Sequence, residues 1–246
     1  GVLAGKPGKT PQPFLADKEV ILSAGSFASP QLLMLSGIGE KVELERYGIN
    51  CIQDVPGVGK NLQDHLFCPI GALSHQQEGQ NHYVRPLPMA RAALDYLVRG
   101  KGVLNSSPLE AVAFGSSSLS PDRVDYQFHF SSFHLGEGYS SDFHDYRTFP
   151  DREDGFSILP SLLRPASRGS LHLRSRHPEE HPLIQPNFFA HEDDRKVMLE
   201  ATKKAIEVMD TDAFSAHRKR RYTPPDTSSD TAIWKHIQQQ VETIYH

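Results

Sequence analysis

The sequence predicts an α+β fold with an antiparallel sheet at its centre, and three observations carry that prediction. Short helix and strand signals alternate in the first 66 of the 246 residues, and a strand-rich stretch follows. In that stretch Val124, Tyr126, Phe128 and Phe130 alternate with Asp125, Gln127 and His129, the period of a strand with one apolar and one polar face. The last part carries helical patterns: Val197, Ala201, Ile206 and Val208, then Ile233, Ile237, Val241 and Ile244.

The elements follow in order. Lys18–Ser23 is a β-branched run closed by Ala24-Gly25, the mark of a strand and turn. Pro30 is expected to open a short helix over Gln31–Leu35, with Ser29 as its N-cap and Gly37 as its left-handed C-cap. Glu40–Tyr47 is a second short helix, stopped by Gly48. Cys51–Val55 and Leu66–Leu73 are strands, separated by the Pro56–Gly59 turn. Leu87–Val98 is a helix, with Met89, Ala93 and Leu97 at four-residue spacing. Glu110–Phe114, Val124–Phe130, Phe156–Leu163 and Ser170–Arg174 are strands, and Leu135–Gly155 is a long loop. Asp193 or Asp194 is expected to cap the next helix, to Met209, and Asp230 the last one.

Composition bounds the function. Apolar residues make up 38 % and charged residues 23 %, and no run approaches the roughly 18 apolar residues of a membrane-spanning helix. A net charge of −4 argues against nucleic acid or an anionic membrane as the main partner. Two cysteines, Cys51 and Cys68, make neither a disulfide framework nor a four-thiolate zinc site. Gly1–Gly5 is not a signal peptide, so any targeting segment precedes Gly1.

Several chemical motifs fail when tested. Gly8-Lys9-Thr10 has Leu3 where a phosphate loop needs its first glycine. Gly37-Ile38-Gly39 and Gly57-Val58-Gly59 are followed by Val42 and Leu62 where a dinucleotide turn needs its third glycine. His177-Pro178-Glu179-Glu180-His181 matches an inverted zinc-protease string. Pro178 and Pro182 oppose the helix that would align the two imidazoles, so a solvated turn is expected and no metal. Asn105-Ser106-Ser107 is a glycosylation sequon. Arg218–Arg221 reads as a solvated basic patch.

One constellation is specific. Gly25-Ser26-Phe27-Ala28-Ser29-Pro30-Gln31-Leu32-Leu33-Met34-Leu35-Ser36-Gly37-Ile38-Gly39 resembles the second signature of the glucose–methanol–choline (GMC) family of FAD-dependent oxidoreductases. Val55-Pro56-Gly57-Val58-Gly59-Lys60-Asn61-Leu62-Gln63-Asp64-His65 is similar to that family's P-G-V-G-x-N-L-x-D-H string. Leu163–Gly169 and Pro182–Phe188 fall where its members carry similar strings, and the details are nearest the choline-dehydrogenase-like branch.

The resemblance implies a division of the chain. Residues 1–66 are the later part of an FAD-binding domain, 67–190 a substrate domain with an antiparallel sheet, and 191–246 helices returning toward the catalytic segment. It implies FAD contacts at Ser23, Ala24, Gly25, Asn61, Asp64 and His65, with Gln127 and His129 on the substrate side. The small residues Ser23-Ala24-Gly25 after a strand permit close approach of a ligand, although packing alone also explains them. Asn61 and Asp64 suit bonding of loop backbone amides. His246, after an aromatic, stands where the family's catalytic segment begins. An imidazole suits proton transfer from an alcohol near neutral pH while the flavin takes the hydride.

The implied substrate is a small-molecule alcohol, and the electron acceptor is oxygen or another molecule. A cyanohydrin lyase on the same fold and a non-catalytic truncated paralogue are the alternatives. The family's first signature, its G-x-G-x-x-G turn, and everything after His246 lie outside these residues. The chain is therefore expected to be a slice of a longer protein and, alone, to bind FAD poorly or not at all.

Overall fold

The computed structural model describes residues 1–6, 8–136, 141–142, 145–224 and 226–244. The chain divides into two compact units, residues 1–63 with 167–190 and residues 64–166 with 191–246. The first boundary lies close to the expected one at 66, and residues 167–190 join the first unit.

The first unit begins with an antiparallel hairpin, β1 (Val2–Ala4) and β2 (Gln12–Phe14). Lys18–Ser23 is not a strand. It pairs with no described residue, and Val20, Ile21 and Leu22 stay exposed. A β-branched run needs a neighbouring edge to become a strand, and none of the described residues supplies one. The helix expected at Gln31 starts six residues earlier, as α1 (Gly25–Leu35), with Pro30 inside it and no side-chain cap. Ser29 does not cap Gln31. Its Oγ accepts from the Ala24 N–H at 3.0 Å and ties the first turn to the chain before it. Gly37 ends the helix at φ 84°, where a Cβ would meet Asn50 O at 2.5 Å.

Further on, β3 (Ile38–Gly39) pairs in parallel with β4 (Gln53–Asp54), and α2 (Lys41–Arg46) connects them. A three-stranded sheet joins β5 (Lys60–Leu62), β11 (Gly169–His172) and β12 (Leu183–Gln185), with β11 central. Met34, Leu44, Leu171 and Leu173 form its core. Glu43 clamps α2 to β11, because its carboxylate accepts from Leu173 N at 2.9 Å and faces His172 Nδ1 at 2.8 Å. Tyr47 adds a hydroxyl bond to Leu173 O.

The second unit holds a seven-stranded antiparallel sheet. Its middle strand is β10 (Gly155–Leu162), buried along its whole length. One edge of β10 pairs with β9 (Tyr126–Ser131), which pairs in turn with β8 (Leu109–Gly115). The other edge is shared by β7 (Ile70–Ser74) and β6 (Leu66–Phe67). The single strand expected over Leu66–Leu73 is thus two, broken at Cys68-Pro69, where proline supplies no N–H. Outside them lie β13 (Arg218–Arg221) on β7 and β14 (Glu242–Thr243) on β6.

One face of the sheet is covered by α4 (Glu192–Met209). Ile70, Ala72, Phe156 and Ile158 pack there against Ala205 and Met209, with Phe128 and Phe130 beside them. The expected acid cap of α4 is replaced by His191, whose Nδ1 accepts from Asp193 N. Asp194 is buried and accepts from Ala166 N at 2.6 Å. The four-residue helix α5 (Asp212–Ser215) follows α4. Ser229, not Asp230, caps α6 (Asp230–Gln240), and Ile233 and Ile237 are its buried side. In α3 (Pro86–Arg99) the buried residue is Ala92, and Leu97 points to solvent.

Gly169 is a test of this packing. A Cβ there would stand 2.4 Å from Gln185 O and 2.7 Å from Pro186 O, both backbone atoms. Gly169→Ala is expected to cost about 2–3 kcal/mol in denaturant unfolding, because β12 has to move away from β11.

Candidate functional site

The residues singled out in the sequence fall on both units. In the first, Ser23, Ala24 and Gly25 are exposed at the start of α1. Gly25 has φ 83° and no heavy atom within 4 Å of where a Cβ would stand, so open space lies beside the first turn. That turn carries no acidic side chain, which leaves its N–H groups to a polar or anionic partner.

A cavity of about 360 Å³ lies in the same unit, lined by Ser26, Pro30, Gly59, Lys60, Asn61 and Gln63 among others. All six stand in the two quoted strings, and Asn61 alone among them is an expected cofactor contact. Asn61 does not tie the loop by its side chain, which bonds no described residue. Its backbone takes the left-handed region, at φ 61°. Asparagine tolerates that region better than most residues, so the turn accounts for it. Gly59 makes the neighbouring close approach: its carbonyl accepts from Leu171 N at 2.6 Å, and a Cβ would reach Leu171 O at 2.2 Å.

In the second unit, Asp64 and His65 are half-buried at the approach to β6. The Ile244 N–H bonds His65 O at 3.0 Å, and Glu242 and Thr243 pair with Phe67 and Leu66. The chain leading to position 246 is therefore held alongside His65. His246 itself lies outside the described residues. No sequence signal marks the two-residue strand β14, which is too short to show a period.

Gln127 and His129 stand on the sheet face opposite α4, together with their cross-strand partners Ser161 and Leu159. Gln127 is buried, and its Nε2 lies 2.6 Å from His129 Nε2. With the amide nitrogen toward the ring, Gln127 donates and the neutral imidazole carries its proton on Nδ1. Rotating the amide places Oε1 there and reverses the requirement. Ser157 is on this face as well. It is fully buried, and its Oγ makes no hydrogen bond to a described residue.

Other candidates resolve into structure. His177–His181 is an exposed segment with a turn at Pro178-Glu179, not a helix. The basic strand β13 is matched by acids: Arg218 and Arg221 face Asp210, and Lys219 bonds Glu153. Burial pushes the Cys68 thiol well up, so it is an inert core group. His236 is buried on α6. Desolvation, joined by the Arg221 charge, holds its imidazole below the usual range, while a 3.4 Å contact to Pro69 O works the other way. Desolvation lowers His134 as well.

Known proteins resemble this chain throughout its length. Residues 1–67 and 165–246 match the N- and C-terminal sequence profiles described as GMC oxidoreductase. An alcohol dehydrogenase [acceptor] of Pseudomonas putida is 36 % identical over 93 % of this chain and 40 % of its own length. The mitochondrial choline dehydrogenase of Homo sapiens is 33 % identical over 94 % of this chain and 38 % of its own. The chain thus spans about 40 % of the length of these curated relatives. Among solved structures, a formate oxidase variant of Aspergillus oryzae, studied for its FAD modification, superimposes with a TM-score of 0.83. It is 27 % identical and covers 96 % of this chain and 44 % of its own.

Two outcomes are expected. Asn61→Ala lowers stability by about 1 kcal/mol in chemical denaturation, and Asn61→Gly does not, because the left-handed backbone sets the cost. The folded state favours neutral His236 and His134, whereas the unfolded chain takes up their protons near the ordinary value of 6.5. Stability is therefore full above about pH 6.5 and falls as the pH drops below it. A melting series from pH 8 to 5 on wild type and His236→Gln reads this, the variant showing the shallower fall.

Proposed function

This chain belongs to the GMC oxidoreductase family, and we propose that it forms part of an FAD-dependent enzyme oxidising the CH–OH group of a small alcohol. The observation that carries the reading is the pairing of β14 with β6, which brings Ile244 beside His65, on a unit whose sheet bears polar side chains.

FAD is the cofactor, and the residues of the first unit fit a part of it. The evidence for fit is the open space at Gly25, the unshielded N–H groups of the first α1 turn and the polar cavity that includes Ser26 and Asn61. Ser23, Ala24, Gly25 and Asn61 would hold it there, with Asp64 and His65 continuing the same string. When bound, FAD supplies the electron sink that receives the carbinol hydride.

The chain's own groups handle the rest. His246 would accept the hydroxyl proton, since a neutral imidazole near pH 7 has both the basicity and the lone pair. Gln127 and His129 would orient the alcohol, one donating and the other accepting. Their mutual bond couples the orientation of the Gln127 amide to the tautomer of His129. Ser157 Oγ, buried without a partner among the described residues, is a further polar atom on that face. The relatives named as choline and alcohol dehydrogenases support an alcohol substrate.

The test is dye-linked alcohol oxidation by the FAD-loaded enzyme of which this chain is a part. His246→Gln is expected to lower kcat by roughly 10²–10⁴-fold with little change in KM, the loss of one general base. Gln127→Ala is expected to raise KM more than it lowers kcat. An unchanged kcat in His246→Gln removes the proposed base.

A further inference from the structure

A helix packed on a domain ordinarily turns its apolar face inward. In α3 the arrangement is reversed. Only Ala92 is buried, while Leu87 is 62 %, Leu94 62 %, Leu97 80 % and Val98 73 % exposed. Positions 87, 94 and 98 fall on one stripe of the helix, with Ala90 and Leu97 along its flank and Arg91 inside it. Gly100, at φ 63°, ends the helix, and Leu104 just beyond is exposed as well.

The rim of this apolar stripe is basic. Between residues 85 and 101 stand Arg85, Arg91, Arg99 and Lys101 against the lone acid Asp95, in a chain whose net charge is −4. Arg99 is partnered by Asp95 and Arg85 by Asp151. Arg91 and Lys101 have no ion partner among the described residues. The whole-chain charge therefore hides a local cationic patch. A second copy seated symmetrically on this stripe would bring two sets of these cations together, which is unfavourable. A negatively charged lipid surface offers both halves of the match: an acyl boundary for the leucines and headgroups for Arg91 and Lys101.

We infer that α3 lies in the interface of an anionic phospholipid bilayer, seating the second unit on the membrane surface without crossing it. Its length and composition do not span a bilayer, because no helix among the described residues is long and apolar enough. The inference stands apart from the proposed oxidation, since none of the residues given a part in that chemistry belongs to α3.

The experiment is co-sedimentation of the purified protein with vesicles of phosphatidylcholine alone and of phosphatidylcholine mixed with phosphatidylserine. Binding is expected to the mixed vesicles, weakened by salt, and to be far lower on phosphatidylcholine alone. Arg91→Gln is expected to lower the partition coefficient about fivefold, and Leu94→Asp with Leu97→Asp by at least roughly tenfold. Circular dichroism melts confirm that these exposed substitutions leave the fold intact. Three results overturn the inference. One is equal pelleting, or none, with both vesicle types. Another is binding unchanged by Leu94→Asp. The last is light scattering that shows a dimer split by Leu94→Asp, which assigns the stripe to a second copy.

Discussion

One proline in the middle of a ladder sets the architecture of the larger unit. Pro160 sits in the middle of a strand with neighbours on both edges, a position where the missing N–H ordinarily breaks a bond. Its carbonyl accepts from Cys68 N at 3.2 Å, so its nitrogen faces the same side, toward Cys68-Pro69. Pro69 faces the other way, its carbonyl lying toward Thr223 Oγ1 and His236 Nε2. The missing N–H of Pro160 leaves a gap opposite Cys68, and the ladder resumes on either side, with β7 along residues 155–158 and β6 at Ser161. Splitting that flank into two strands creates two outer edges. One takes β13 and the other takes β14. The docking of Glu242 and Thr243 on β6 thus depends on a proline far from them in sequence.

The bend at Pro69 is also where polar groups converge. Thr223 Oγ1 receives the Gly71 N–H at 2.7 Å and lies 3.4 Å from Pro69 O, which His236 Nε2 also contacts. Tyr222 N bonds Gly71 O, and its ring occupies the space that a side chain at position 71 would need. The strand break leaves carbonyls that water cannot satisfy, and the α6 and β13 segments supply the donors. Burial of His236 follows from this task. The basic residues of β13 are likewise structural, for they neutralise Asp210 and Glu153 at the sheet edge.

The parts legible in the sequence are those with a period or a fixed turn residue. The alternation at Tyr126–Phe130 correctly separates Phe128 and Phe130, which pack against α4, from Gln127 and His129 on the other face. Gly37 reads as the end of α1 because its positive φ is a local requirement. The misreadings are of the opposite kind. Pro30 looks like a helix start, yet Ser29 bonds backward to Ala24 and the helix begins earlier. Asp194 looks like a cap, yet a distant backbone N–H at Ala166 claims its carboxylate. Such residues serve partners far away in sequence, and no local pattern shows which partner wins. Of the candidate site, the string motifs locate the residues, while the β14–β6 pairing that approaches His65 is visible only in three dimensions.

The division between the two units falls inside the string Val55–His65, after Gln63, as it also falls inside Leu163–Gly169, after Ala166. Gly59 and Asn61 stand on the cavity side of that division, both in left-handed backbone, and Asp64 and His65 on the side of the large sheet. Each half has its own constraint. Gly59 must admit the Leu171 backbone, and His65 must present its carbonyl to Ile244. Two residues in left-handed conformation within three positions fix the direction in which the chain leaves the first unit. The string is therefore constrained by its backbone in each half, independent of whether any one of its side chains touches a ligand.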